Sequence, residues 1–180
     1  MIMELNVRPF KDSDDCLAMI DYFLESSPEY LLKLGADPEK LPKRSEWLDL
    51  LMKDLGKPKE EKTFYYLLWE LDGQGIGHTN INQIIYDQEA FMHLHLWESE
   101  KRQAGLGTSF LKKAIPIFFK EFKLQTLFCE CNAHNLGPNR TLPKLGFEFI
   151  KQHEINPGWI NYVQPINRWA LDKTTFEKVY

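Results

Sequence analysis

The stretch Arg102-Gln103-Ala104-Gly105-Leu106-Gly107-Thr108 constrains this chain most, because it sets a glycine-rich bend between an apolar strand and a long amphipathic helix. A helix starting at such a bend offers unpaired N–H groups at the positive end of its dipole. That is an anion site suited to phosphate or pyrophosphate, and glycine lets the ligand approach the backbone closely. Two common phosphate motifs fail here. A nucleotide-hydrolase loop needs a lysine after its second glycine, but Gly107 is followed by Thr108 and Ser109. A dinucleotide fingerprint needs a small residue where Phe110 stands. The run Gly73-Gln74-Gly75-Ile76-Gly77 lies between two strand-like segments with no helix after it, and reads as a hairpin turn.

Size and charge bound the answer separately. With 180 residues, 43% of them hydrophobic and 13% aromatic, the chain can bury a core as a single domain spanning residues 1–180. A net charge of −4 without a basic cluster argues against nucleic acid as a partner. No apolar run approaches the ~20 residues of a membrane span. Met1 to Asn6 lacks a signal peptide's basic start and apolar core, so the expectation is a cytoplasmic protein without a membrane partner. Three cysteines are an odd number, and Cys129 and Cys131 lie on one strand; they read as reduced core thiols.

Periodicity supplies the elements. Residues 2–8 alternate as a half-buried strand, and Cys16, Leu17, Ile20, Phe23 and Leu24 recur at helical spacing after Asp12 or Ser13, with Pro28 as the stop. Residues 28–44 read as an inserted connection over the sheet's open end, on the acceptor side, before a helix capped by Ser45 and stopped by Gly56. The charged run 57–62 reads as a solvated linker. Strands are expected over 63–71, 76–85, 91–97, 126–132, 147–155 and 161–171. Helices are expected after the glycine bend, kinked at Pro116, and over 139–145.

The pattern Arg/Gln-x-x-Gly-x-Gly/Ala between a strand and a helix resembles that of the GNAT superfamily of acyl-CoA-dependent N-acetyltransferases. A second motif strengthens the likeness, since Asn135-Leu136-Gly137-Pro138-Asn139-Arg140-Thr141-Leu142-Pro143-Lys144-Leu145-Gly146-Phe147 is similar to the superfamily's Asn-x-x-Ser/Ala-x-Arg-x-x-x-Lys-x-Gly-Phe. The resemblance implies an α+β fold, with a central mixed, mostly antiparallel twisted sheet of six to seven strands flanked by four to five helices. It implies acetyl-CoA as acyl donor and no metal. By the same resemblance, His95, Leu96 and Trp97 offer backbone groups to the pantetheine arm, Arg102, Gln103, Ala104, Gly105, Leu106, Gly107 and Thr108 hold the pyrophosphate, and Asn135 contacts the pantetheine.

The amine acceptor, with a pKa near ~10, must lose a proton before or during attack. The superfamily's glutamate position on the fourth strand is Phe91 here. His93 shares its face and is the first choice as base, with Glu130 on the next strand in reserve. The tyrosine that often protonates the departing thiolate is replaced by Leu142, which leaves the general acid unassigned. His93 and His95 share a face, but His78, His134 and His153 show no zinc-ligand spacing. Trp159, Tyr162 and Trp169 read as core packing or a homodimer contact in preference to pocket lining. Three functions fit these letters: acetylation of a small-molecule primary amine, which leads; acetylation of protein or peptide N-termini of the ribosomal-protein type; and non-catalytic acyl-CoA binding.

Overall fold

The computed structural model describes residues 3–98 and 105–180. Its centre is a seven-stranded sheet in the order β1-β2-β3-β4-β5-β7-β6. The strands are β1 (Leu5–Pro9), β2 (Phe64–Leu71), β3 (Gln74–Ile85), β4 (Glu89–Leu96), β5 (Thr126–Asn132), β6 (Glu148–Ile155) and β7 (Gln164–Asp172). Every neighbouring pair is antiparallel except β4 and β5. Among the described residues there are six α-helices, one more than the upper expectation: α1 (Ser13–Leu24), α2 (Pro28–Leu34), α3 (Arg44–Leu55), α4 (Leu106–Phe122), α5 (Leu136–Thr141) and α6 (Lys173–Val179). No helix among the described residues is long and apolar enough to cross a membrane.

The sheet is buried on both faces because its strands alternate. In β2, Leu67 and Trp69 point toward α4 while Leu68 points toward α1 and α3. On the α4 side Trp69 stacks on Phe110 with ring centroids 5.1 Å apart. The helix runs unbroken through Pro116 and turns Phe110, Leu111, Ala114, Ile115, Phe118 and Phe122 onto the sheet. On the other side Met19, Ile20 and Phe23 of α1 meet Trp47 and Leu51 of α3. Cys16, Cys129 and Cys131 are buried free thiols.

Several boundaries differ from the sequence reading, each for a local reason. Pro28 does not end a helix; it begins α2, where its missing N–H costs nothing and Ser27 Oγ accepts from Tyr30 N at 3.2 Å. The inserted stretch thus holds a helix and the short 3-10 turn Pro38–Lys40. Ser45 lies inside α3, whose cap position is Lys43. The β2–β3 turn is made by Asp72 and Gly73, both at positive φ, while Gly75 and Gly77 belong to β3. Gly77 is needed for close approach: an added Cβ would sit 2.6 Å from the His95 carbonyl oxygen. The charged run is not a free linker. Buried Asp54 accepts from Thr63 N at 2.9 Å, Phe64 N at 3.0 Å and Lys57 Nζ at 2.9 Å, and Lys62 Nζ donates to the Asp54 and Leu55 carbonyls at 3.0 Å. These bonds dock the end of α3 onto the start of β2.

Candidate active site

The parallel β4–β5 ladder runs from Glu89↔Thr126 to Met92↔Cys129 and goes no further. Beyond it β4 stays paired with β3 up to Leu96, and β5 stays paired with β7 up to Asn132. The two strands are therefore each held by an outer neighbour while their facing edges part. Residues alternate along each strand, so His93 and Glu130 lie on the same face, one on either side of this opening. A cleft of about 130 Å³ occupies it, lined by His93, His95, Glu130 and Asn135 among others. Phe23, Trp47, Tyr66 and His78 form a second wall, and Leu34, Ala36 and the loop of residues 157–161 form a third.

His93 is neutral at physiological pH, because burial lowers its pKa to about 4. Its Nε2 lies 3.2 Å from Asn82 Oδ1, an atom that can only accept, so Nε2 carries the proton and Nδ1 the lone pair. The main chain is fixed too, since Thr79 Oγ1 donates to the His93 carbonyl at 2.6 Å. Glu130 is in the cleft but occupied: Arg168 Nε donates to its Oε1 at 2.6 Å, and His153 Nε2 lies 3.9 Å away. Its carboxylate serves the β5–β7 pair, and the reserve-base reading loses support.

Of the three residues expected to face the pantetheine arm, strand alternation separates Leu96 from the others. Trp97 N donates to the Ile76 carbonyl at 2.9 Å, on the β3 side, and His95 two residues earlier faces the same way. Only Leu96 directs its main chain toward the β5 side, so His95 and Trp97 are corrected as main-chain contacts. Their side chains join an aromatic cluster instead. The His95 ring stacks on His78 at 5.0 Å, and Trp97 Nε1 donates to His78 Nδ1 at 2.8 Å. His95 Nδ1 also lies 3.4 Å from the Tyr22 hydroxyl.

At the glycine bend the described residues resume at Gly105. Gly105 is the cap residue of α4 at φ +74°, a left-handed conformation that favours glycine, and among the described residues no side chain caps the helix. Leu106 turns into the core, and a Cβ added at Gly105 or Gly107 would meet nothing within 4 Å among the described residues. Amides in the first turn of a helix have no intrahelical partner, which is the general basis of an anion site at such a start. Arg102, Gln103 and Ala104 lie outside the described residues. A helix start at a glycine bend and a strand pair that parts over a cleft fit an extended thioester cofactor with a diphosphate. Among the described residues no three His, Cys, Asp or Glu side chains are grouped to hold a metal.

Asn135 opens α5 and lines the cleft. The sequence reading missed the residue that fixes it. Asn139 Nδ2 donates to the Asn135 carbonyl at 2.7 Å and the Asn132 carbonyl at 3.0 Å, while its Oδ1 accepts from Asn167 Nδ2 at 2.8 Å and Trp169 Nε1 at 3.0 Å. Asn82 and His78 were missed as well; the only signal was the cluster of polar residues His78, Thr79, Asn80 and Asn82 within one strand. Leu142 is fully buried in the core, and Arg140 and Lys144 are exposed.

Comparison with known proteins agrees with this geometry. The family model for the acetyltransferase (GNAT) domain matches residues 4–148. Among solved structures, a spermidine N-acetyltransferase from Vibrio cholerae in complex with CoA and spermine is similar at a TM-score of 0.76 and 16% identity, covering 96% of this chain and 98% of that one. A ribosomal L7/L12 alpha-N-protein acetyltransferase in complex with coenzyme A reaches 0.74 at 14% identity, covering 93% of each chain. A ribosomal-protein-S5-alanine acetyltransferase from Vibrio fischeri reaches 0.75 at 18%, covering 93% and 92%. A search of curated protein sequences gave no match. With its family model spanning most of its length, this chain belongs to the GNAT acetyltransferases, enzymes that take their acyl group from acetyl-CoA.

Proposed function

We propose that the chain acetylates a primary amine of a small molecule, with His93 as the base. The observation that carries this reading is the third wall of the cleft. Leu34 and Ala36 come from the inserted segment, and residues 157–161 come from the β6–β7 loop. The two pieces are tied together, because Gln164 Nε2 and Asn161 Nδ2 both donate to the Gly35 carbonyl at 2.8 Å, and Asp37 N donates to the Ile160 carbonyl at 2.7 Å. A cleft walled this way favours a compact acceptor over a protein terminus that needs an open groove.

When bound, acetyl-CoA supplies the activated acetyl thioester. The amides at Gly105 to Thr108 would hold its diphosphate, the main chain of Leu96 and the side chain of Asn135 would border its arm, and the opening between β4 and β5 would admit it. His93 then acts during attack and not before it. Taking a proton from a free ammonium of pKa ~10 onto an imidazole of pKa about 4 is uphill by roughly 8 kcal/mol. As the nitrogen gives up its lone pair its proton becomes far more acidic, and the neutral Nδ1 is ready to take it.

The test is calorimetric titration of acetyl-CoA, with adenosine diphosphate as control, followed by a panel of amines with release of free thiol as readout. One-site binding near micromolar, about −8 kcal/mol, and turnover on a small amine support the reading. Absence of acetyl-CoA binding ends it, and turnover confined to protein N-termini transfers the activity to the other acceptor class.

A further inference from the structure

Among the described residues no unengaged carboxylate lines the acceptor cleft. Among the described residues Glu130 is the only carboxylate that lines it, and that carboxylate is already engaged by Arg168. Among the described residues neither lysine nor arginine lines it. Apart from Glu130, its polar lining is neutral, made chiefly of histidines and of asparagine and glutamine amides, Asn135 among them. Its apolar surface is rich in rings. Trp159, 48% exposed, stands edge-on to buried Trp47 at 6.0 Å, and Trp47 lies 5.5 Å from Phe23.

Resting on the acetyltransferase reading above, we infer that the acceptor is a compact monoamine with an aromatic or other apolar body, and not a polyamine or an aminoglycoside. The reacting nitrogen enters as the free base, because an ammonium has no lone pair with which to attack, and only a second amine brings a charge into the cleft. Each further ammonium on the same molecule would be carried into the cleft without a counter-charge, and an unpaired buried ion is penalised by several kcal/mol. An aromatic body meets the opposite situation, since ring-on-ring and ring-on-aliphatic burial is favourable there. The cleft of about 130 Å³ is small beside ordinary ligand pockets of roughly 300 Å³ or more, which restricts that body to about one ring system. The side-chain amides around it can hydrogen-bond a single neutral polar group, such as a hydroxyl or amide.

Binding measurements on the CoA-saturated protein decide this without depending on turnover. 2-Phenylethylamine and spermidine are titrated into the wild type, Trp159→Ala and Trp159→Glu at moderate salt. Trp159 is at the rim, so both variants retain the buried core. The wild type should bind 2-phenylethylamine at least tenfold more tightly than spermidine. Trp159→Ala should weaken 2-phenylethylamine several-fold, and Trp159→Glu should weaken it while strengthening spermidine. Equal or tighter binding of spermidine by the wild type overturns the inference, as does undetectable binding of 2-phenylethylamine. If the protein does not bind CoA at all, the cofactor reading fails instead, and the two failures are told apart by that first titration.

Discussion

Trp97 Nε1 donates to His78 Nδ1 at 2.8 Å, across the β3–β4 pair and beneath α1. An indole N–H can only donate, so His78 must be the acceptor and must keep its proton on Nε2. Burial, His95 and His93 together push its pKa well below the ordinary value, and protonation would set two N–H groups against each other. The end of β4, next to the glycine bend, is therefore anchored by a histidine that must stay neutral.

That requirement makes stability fall in mild acid. A histidine whose folded pKa lies below its unfolded value binds a proton more readily when unfolded, so stability rises with pH across the interval between the two. For His93 the interval runs from about 4 to 6.5, which is roughly 3 kcal/mol, and His78 adds loss of the same sign. Asp15 and Asp54, with lowered pKa values, contribute stability that is lost only below the usual carboxylate range. Denaturant unfolding at pH 7, 6, 5 and 4 should show the decline, less steeply in His78→Gln. A flat profile over that range would contradict it.

His93→Ala should lower turnover by ~100-fold or more with little change in acetyl-CoA affinity. Steady-state kinetics alongside calorimetry separates the two quantities. Retention of wild-type turnover removes His93 from the mechanism.

Gly105→Asp should raise the acetyl-CoA dissociation constant at least tenfold, because it sets a carboxylate in the open space at the start of α4. Gly105→Ala is the control, sharing the strain of φ +74° at roughly 1 kcal/mol without the charge. Equal affinities for the two variants would count against the anion site.

Asn139→Ala should destabilise the fold by about 3 kcal/mol or more, since it strands Trp169 Nε1 and Asn167 Nδ2 and releases the Asn132 and Asn135 carbonyls. Thermal and denaturant unfolding give the magnitude. A loss under about 1 kcal/mol would show that water replaces these bonds without penalty.

Local physics made much of this molecule legible in the letters. Alternation located the strands, with residues 126–132 matching β5 end to end, and helical spacing located α1, α3 and α4. The glycine bend announced an uncapped helix start because left-handed φ and open space are properties of a few adjacent residues. The two motifs carried the family. The α6 helix was missed, as its sequence Lys173-Thr174-Thr175-Phe176-Glu177-Lys178-Val179 has little apolar periodicity and rests on Phe176 stacking against Phe119 at 4.1 Å.

What the letters could not supply was which distant groups meet. Glu130 had the chemistry of a base until register set it opposite Arg168, a residue 38 positions away. His93 had the pKa of an exposed imidazole until the sheet buried it against Asn82. The opening between β4 and β5 exists because each strand is held by a different neighbour, β3 or β7, and that is a property of the sheet order and not of either strand. Spacing along the chain determined the elements and the glycine bend, because those depend on contacts within a turn or two. Tertiary structure decided the charge, the proton positions and the shape of the acceptor cleft, because burial and partner choice are set by segments remote in sequence.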